Sequence, residues 1–92
     1  MISRQRMRQL RNDVPVDRVL DSLGIHIKIR DGYLRFLCPL CREFNTATNP
    51  KTNLARCFRC RKNYNPIDLV LVVERVSFLE AVDVVSRLLE SH

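Results

Sequence analysis

Residues 37–60 read LCPLCREFNTATNPKTNLARCFRC and contain all four cysteines of the 92-residue chain. The cysteines form two Cys-x-x-Cys pairs separated by fifteen residues. A two-residue spacer lets both sulfur atoms of a pair face one ion, and two such pairs complete a tetrahedron of thiolates around Zn²⁺. The spacing therefore predicts one structural zinc ion per chain, bound by Cys38, Cys41, Cys57 and Cys60.

The four cysteines also fit other uses. Two disulfides would fit an oxidising compartment, and four thiolates at this spacing also bind iron in rubredoxin-like sites. His26 could replace one cysteine, although a histidine on the polar face of a strand needs no metal. Four thiolates leave no coordination position open for water, which disfavours a zinc hydrolase. With no glycine-rich phosphate loop and no clustered carboxylates, we expect that the chain alone is not an enzyme.

Residues on both sides of the Asp31-Gly32 dipeptide predict a β-hairpin. Residues 25–30 alternate isoleucine with His, Lys and Arg, and residues 33–37 follow the turn and lead directly to the first cysteine pair. Residues 53–58 form a third predicted strand that leads to the second pair, whereas the polar residues 42–52 predict a loop. The order strand, ligand pair, strand, ligand pair is that of a zinc ribbon.

Three helices are predicted around this ribbon. A proline at its start and a glycine at its end predict a first helix over residues 15–23. An Asn-Pro pair predicts the start of a helix over residues 66–74. Ser77 and Glu80 have the spacing of a capping box, which begins a last helix that ends near residue 90. The predicted fold class is α+β: a short antiparallel sheet with two Cys-x-x-Cys knuckles, flanked by an N-terminal helix and two C-terminal helices.

The chain is basic, with a formal net charge of +6 that is unevenly distributed. Residues 1–12 carry +4 and residues 25–64 carry +7, whereas residues 65–92 carry −3. We interpret residues 1–12 as a basic arm, with a solvated tail or an extension of the first helix as alternatives, and residues 13–92 as a single domain. No segment has the character of a signal peptide or a membrane span, so a cytoplasmic chain without membrane contact is expected.

Basic and aromatic residues are interleaved around the cysteines. Arginine and lysine pair with phosphates while unpaired bases stack on aromatic rings, so this composition favours single-stranded nucleic acid. Strand alternation puts Tyr33 and Arg35 on one face, whereas Phe36 and Phe58 are expected to pack beneath the ribbon. The predicted nucleic-acid contacts are Lys28, Arg30, Tyr33, Arg35, Arg56, Arg59, Arg61, Lys62 and Tyr64.

Four segments resemble a known family. Leu37-Cys38-Pro39-Leu40-Cys41 looks like the first ligand pair of the zinc-binding domain of bacterial DNA primases, the CHC2-type zinc finger. Cys57-Phe58-Arg59-Cys60 looks like the second ligand pair of that family. Residues 65–70, NPIDLV, and residues 76–82, VSFLEAV, are similar to the helices that follow it. The resemblance runs from Val14 to the C-terminus.

The resemblance implies a zinc ribbon that contacts single-stranded DNA in replication or priming, with a primase, polymerase or helicase as its separate catalytic partner. The chain departs from the family because Cys41 stands where a histidine is usual, and Arg61 stands in a region where glycines are usual. The alternative function is a protein-interaction ribbon that docks on a polymerase, a helicase or a second copy of itself. An exposed stripe of Val82, Val85 and Leu89 would support that alternative.

Overall fold

The computed structural model describes residues 2–90 and shows an α+β fold, as the sequence predicts. The helices are α1 (Arg4–Asn12), α2 (Val16–Ser22), α3 (Pro66–Glu74) and α4 (Phe78–Glu90). The strands are β1 (Ile27–Arg30), β2 (Tyr33–Phe36), β3 (Thr46–Asn49), β4 (Leu54–Cys57) and β5 (Lys62–Tyr64). None of these helices has both the length and the apolar character needed to cross a bilayer.

The five strands form one antiparallel sheet in the order in which they occur along the chain. Asp31 and Gly32 form the turn between β1 and β2, and both have positive φ angles, 55° and 80°. Positive φ at both central residues is what a type I′ turn requires, and the twist of that turn matches the twist of the strands. The hairpin predicted from this dipeptide is confirmed.

One face of the sheet, called the inner face below, packs against the helices. Its residues Phe36, Thr46, Ala55, Cys57 and Tyr64 are all buried. The helices add Leu10, Val19, Leu20, Ile67, Leu69, Val70 and Val85 to the same cluster. Burial of one such side chain stabilises the fold by roughly 1.5–3 kcal/mol. The sheet and all four helices therefore share a single core.

The two C-terminal helices begin where their capping residues predict. Asn65 Oδ1 accepts a hydrogen bond from the N–H of Asp68 (2.8 Å), and the Asp68 carboxylate accepts one from the N–H of Asn65 (3.1 Å). Pro66 occupies the first helical position, where no N–H is needed. The Ser77 hydroxyl accepts a hydrogen bond from the N–H of Glu80 (3.2 Å) at the start of α4. Both helix predictions are confirmed.

Strands β3 and β5 are not predicted from the sequence. Strand β3 lies inside residues 42–52, so the prediction of a loop there is wrong over Thr46–Asn49. Its sequence, TATN, lacks the alternation of apolar and polar residues that identifies a half-buried strand. The segment is extended because β2 and β4 both pair with it: Thr46 lies opposite Phe36 on one side and Cys57 on the other.

Most of the segment interpreted as a basic arm forms a packed helix, α1, over Arg4–Asn12. Ser3 caps α1 by accepting a hydrogen bond from the N–H of Arg6 (3.1 Å), and Leu10 is completely buried. The Arg6 guanidinium forms an ion pair with Glu90 of α4 at 2.9 Å. Residue 1 of the predicted arm and residues 91–92 of the predicted domain lie outside the described residues.

Asn53 joins the sheet to the N-terminal helices. Its Nδ2 donates to the carbonyl oxygens of Arg11 and Val14, at 2.7 Å each, and its Oδ1 accepts a hydrogen bond from the N–H of Val16 (3.0 Å). The junction of α1 and α2 is therefore held against the turn between β3 and β4.

Candidate metal centre and nucleic-acid interface

The four cysteines converge at one end of the sheet. Their Sγ atoms all lie within 4.8 Å of one another. The Sγ atoms of Cys41 and Cys57 are 3.7 Å apart, and those of Cys38 and Cys60 are 3.9 Å apart. A tetrahedral ion with metal–sulfur bonds of about 2.3 Å needs sulfur–sulfur distances of about 3.8 Å. The sequence prediction that these four residues form one metal site is therefore supported by their geometry.

The two ligand pairs have the same backbone conformation. The N–H of Arg42 donates to the carbonyl oxygen of Cys38 (2.9 Å), and the N–H of Arg61 donates to that of Cys57 (2.8 Å). Arg42 and Arg61 both lie in the left-handed region, with φ of 59° and 56°. Each Cys-x-x-Cys pair thus closes in one tight turn that brings its two sulfur atoms to the same side.

Backbone amides beside the sulfur atoms favour the thiolate form. The N–H of Leu40 lies 3.4 Å from Sγ of Cys38, and the N–H of Cys60 lies 3.3 Å from Sγ of Cys57. Burial raises the pKa of Cys38, but hydrogen bonds from the backbone of Cys41 and Leu40 outweigh burial and lower that pKa to about 6. Burial, followed by the neighbouring thiols, raises the pKa of Cys60 to about 12. A metal ion must therefore displace a proton from Cys60, whereas the lowered pKa of Cys38 favours its thiolate form.

Tyr64 belongs to the metal centre and not to a nucleic-acid surface. It is only 3% exposed, and its hydroxyl oxygen lies 3.7 Å from Sγ of Cys38. Burial, together with the hydrogen bond to Cys38, raises the pKa of Tyr64, so the phenol stays protonated and can donate to the thiolate. The prediction that Tyr64 stacks on a base is wrong, because strand alternation turns it towards the inner face opposite Ala55.

The outer face of the sheet, opposite the helices, carries a row of residues that runs across all five strands. Lys28 pairs with Arg35, Arg35 with Ala47, Ala47 with Arg56, and Arg56 with Asn63. Residues in register on neighbouring strands project to the same face. Three cations therefore lie in one row, and the small side chain of Ala47 leaves space between two of them.

Aromatic rings flank this row. Tyr33 on β2 is 56% exposed, and Phe58, directly after β4, is 59% exposed. The expectation that Phe58 packs beneath the ribbon is wrong, whereas the same expectation for Phe36 is confirmed, since Phe36 is fully buried. Tyr33, Phe58, Arg35 and Arg56 together line a groove of about 700 Å³ on the outer face.

Phe44 is a further aromatic residue of the outer face, and no sequence pattern identifies it as a site residue. Its ring lies under the Lys28 ammonium, with Nζ 4.6 Å from the ring centroid, and it lines a groove with Lys28, Arg30 and Arg35. Its position in a loop gives no periodic signal, and only the fold of the loop between β2 and β3 brings it there. The outer face therefore joins Phe44 to five of the predicted contacts, Lys28, Arg30, Tyr33, Arg35 and Arg56.

The remaining predicted contacts lie around the second cysteine pair. Arg59 forms an ion pair with Glu43, and this pair raises the pKa of Arg59. Arg61 is exposed in the turn after the ligands. Lys62 lies opposite Cys57, so its position on β5 belongs to the inner side of the sheet edge and not to the outer row. These three cations surround the knuckle and do not extend the row.

Comparison with known proteins adds no relative: no protein-family model and no curated protein matches the chain. The fold and the four-cysteine cluster thus define a small α+β domain with a candidate metal site.

Proposed function

We propose that the chain is a zinc-stabilised nucleic-acid-binding module whose outer sheet face binds single-stranded DNA. The observation that carries this proposal is the cross-strand row of Lys28, Arg35 and Arg56 on the face that the helices leave free, where Lys28 and Arg56 are exposed and Arg35 is half-buried. A phosphate backbone lying along the row would meet one cation every one or two strands, which are about 4.8 Å apart.

The aromatic residues favour a single strand as the ligand. Tyr33 and Phe58 lie at opposite ends of the groove, because Tyr33 precedes Arg35 on β2 and Phe58 follows Arg56 on β4, which runs in the same direction as β2. Stacking on such rings needs bases that are not already paired, and contributes about 1–3 kcal/mol per base. Within residues 2–90 Arg35 forms no ion pair, so no acidic group of this part of the chain neutralises its charge.

Zinc has a structural role in this proposal. Cys57 is the last residue of β4 and Phe58 lies between two ligands, so the ion would fix both the sheet and one of its aromatic rings. Four thiolates close the coordination shell, and the metal would activate no water. Metal analysis of the purified protein by mass spectrometry tests the metal: one zinc per chain is expected, whereas iron would also give visible thiolate-to-iron absorption.

The motifs that resemble those of bacterial primases suggest the setting. In that setting the module acts in the cytoplasm, in replication or priming, and a separate primase, polymerase or helicase supplies the catalytic activity. The chain itself would not synthesise primers. Mixing the chain with a candidate catalytic subunit and measuring primer synthesis, with and without the chain, tests that role.

Fluorescence anisotropy with a labelled single-stranded oligonucleotide, over a series of salt concentrations, tests DNA binding directly. The double variant Arg35→Gln and Arg56→Gln should bind about 10-fold more weakly, with a shallower salt dependence, because two phosphate contacts are lost. The matched control is Arg75→Gln with Arg87→Gln, which removes two charges from the C-terminal helices and should bind like the native chain. Equal affinities for all three proteins would reject the outer face as the binding surface.

A protein-interaction ribbon is the second candidate function, with a docking surface made of different residues from those expected. Val82 and Val85 are buried in the core, so the expected stripe with Leu89 is not a free surface. Phe78 and Leu79, at the start of α4, are instead exposed, Leu79 to 71%. Sedimentation of the native chain and of the variant Leu79→Ser tests self-association: a dimer lost in the variant would favour this candidate.

A further inference from the structure

Helix α1 carries an arginine face that the proposed single-strand site does not use. Arg4, Arg8 and Arg11 are all exposed. Their spacing of four and three residues places them on one side of the helix, over a length of about 10 Å. Within residues 2–90 none of the three forms an ion pair, whereas Arg6 on the same helix pairs with Glu90.

This arrangement opposes the stability of α1 itself. Arg4 is the first residue of the helix, where the positive end of the helix dipole disfavours a cation, and the first turn contains no acidic residue. Like charges three and four residues apart also repel, by a few tenths of a kcal/mol per pair. A polyanion bound along this face would relieve both effects, which is why the arginine face fits a ligand better than it fits a solvated surface.

The arginine face differs in chemistry from the outer face of the sheet. Helix α1 has no aromatic residue, so it cannot stack unpaired bases, and its cations suit phosphates whose bases are already paired. The apolar side of α1 is not available for a membrane, because Leu10 is buried and Ile2 and Met7 pack against the core.

The two faces meet at a groove between α1 and the sheet. Asn12, on the exposed side of α1 one turn after Arg8, lines this groove together with Tyr33. The lining residues include the acidic Asp17 and no basic residue, so the groove separates the arginine face of α1 from the basic outer face of the sheet. The Asn53 hydrogen bonds hold the end of α1 against the β3–β4 turn at this point.

We infer that the arginine face of α1 binds the phosphates of a DNA duplex, so that the chain holds a junction in which the single strand lies on the sheet and the adjoining duplex lies along α1. This inference rests on the proposed function, since it assigns the unpaired part of the same DNA to the outer face. It adds a second binding surface made of Arg4, Arg8 and Arg11.

Anisotropy with three labelled DNA probes tests the inference: a single strand, a blunt duplex, and a duplex with a single-stranded overhang. The native chain should bind the overhang probe more tightly than either of the others. The variant Arg4→Gln with Arg8→Gln should lower affinity for the overhang probe about 10-fold and reduce the slope of log K against log salt by about 2, because two phosphate contacts are lost. Its affinity for the single strand should stay within about twofold of native, and the control Arg75→Gln with Arg87→Gln should leave all three affinities unchanged.

The possible failures are distinguishable. Equal native affinity for the single strand and the overhang probe would overturn the inference and leave the proposed function standing. An equal loss for both probes in the Arg4→Gln, Arg8→Gln variant would also overturn it, since α1 would then belong to the single-strand path. No binding to any probe at low salt would reject both the proposed function and the inference. Duplex binding that is lost in this variant, without any single-strand binding, would reject the sheet site and the junction and leave the arginine face as a duplex-binding surface only.

Discussion

The hydroxyl oxygen of Tyr64 lies 3.7 Å from Sγ of Cys38, inside the core and beneath the candidate metal site. Tyr64 is held there by its place on β5, opposite the buried Ala55. Because its pKa is raised by burial, the phenol remains protonated and donates to the thiolate. A buried aromatic residue thus stabilises the charged form of a metal ligand from the side opposite to solvent.

The variant Tyr64→Phe should weaken zinc binding by about 10-fold, because hydrogen bonds to ligand atoms typically change metal affinity by 10- to 100-fold. Competition against a chelator of known affinity measures the change. Tyr33→Phe is the matched control, since it removes a hydroxyl from the exposed outer face and should leave zinc affinity unchanged. An equal zinc affinity in the Tyr64→Phe variant would mean that the phenol merely fills space beside the sulfur.

The hydrogen bonds of Asn53 make a second prediction. The variant Asn53→Gly keeps a residue that tolerates the positive φ of 53° but loses three hydrogen bonds to Arg11, Val14 and Val16. At about 0.5–1.5 kcal/mol per bond, the loss of stability should be about 1.5–4.5 kcal/mol, measured by urea unfolding of the zinc-loaded protein. 

The variant Asn53→Asp separates the contributions of the two ends of this amide. It keeps the acceptor for Val16 but turns a carboxylate towards the carbonyl oxygens of Arg11 and Val14, so it should be no more stable than Asn53→Gly. An Asn53→Asp variant as stable as the native chain would show that the two Nδ2 hydrogen bonds contribute nothing.

Local signals in the sequence predict those parts of the fold that local interactions determine. Asn65 and Pro66 fix the start of α3, and Asp31-Gly32 fixes the first hairpin, because a cap and a turn are made by residues close in sequence. The spacing of the cysteines predicts the four-cysteine cluster for the same reason, since each knuckle is a local turn.

Elements that depend on distant partners are not predicted. Strand β3 is extended only because it lies between β2 and β4, and α1 is ordered by burial of Leu10 and by the ion pair of Arg6 with Glu90, eighty-four residues away. The locations of Phe58 and Tyr64 differ from expectation because the face of each residue depends on the register of β4 and β5. Register is a tertiary property that a single strand sequence specifies weakly when the strand is three or four residues long.

The left-handed residues of the knuckles make a third prediction. Arg42 has a φ of 59°, a conformation that costs a residue with a Cβ atom about 1–2 kcal/mol and costs glycine little. The variant Arg42→Gly should therefore be slightly stabilised, by about 0.5–1 kcal/mol after the extra entropy of the unfolded glycine is subtracted. A rise of a few degrees in the thermal midpoint of the zinc-loaded protein is expected.

Arg42→Ala is the control for this change, because it removes the same side chain and keeps the Cβ atom in the left-handed region. It should show no gain in thermal midpoint. Equal midpoints for the Gly and Ala variants would show that the loss of the arginine side chain, and not backbone strain, controls the stability of the knuckle.

Removal of the metal, by chelation or by acid, is expected to unfold the ribbon. Cys38 and Cys57 are completely buried, and the four sulfur atoms lie within 4.8 Å of one another. Without the ion no positive charge stabilises this close packing of sulfur atoms. Near-ultraviolet circular dichroism and DNA binding should both be lost on chelation and should return when zinc is added back. The variant Cys57→Ser should show the same loss at all zinc concentrations. Retention of a native sheet without zinc would contradict a structural role for the ion.

The pH dependence of zinc affinity follows from the thiol groups. Protons compete with the metal for sulfur, so affinity must fall as the pH falls. Burial raises the pKa of Cys60 to about 12 and also raises that of Cys41. At neutral pH each of these thiols must therefore release a proton when zinc binds. The pKa of Cys38 is lowered to about 6, so above that pH Cys38 releases almost no proton when zinc binds. Below that pH the thiol is protonated and must release its proton as well. Zinc affinity measured by chelator competition between pH 8 and pH 5 should therefore fall throughout and fall more steeply below about pH 6.

In the Tyr64→Phe variant the steeper part should begin at a higher pH, because the phenol no longer stabilises the Cys38 thiolate. An affinity independent of pH, or a steepening unaffected by that variant, would contradict this assignment of the thiol protons.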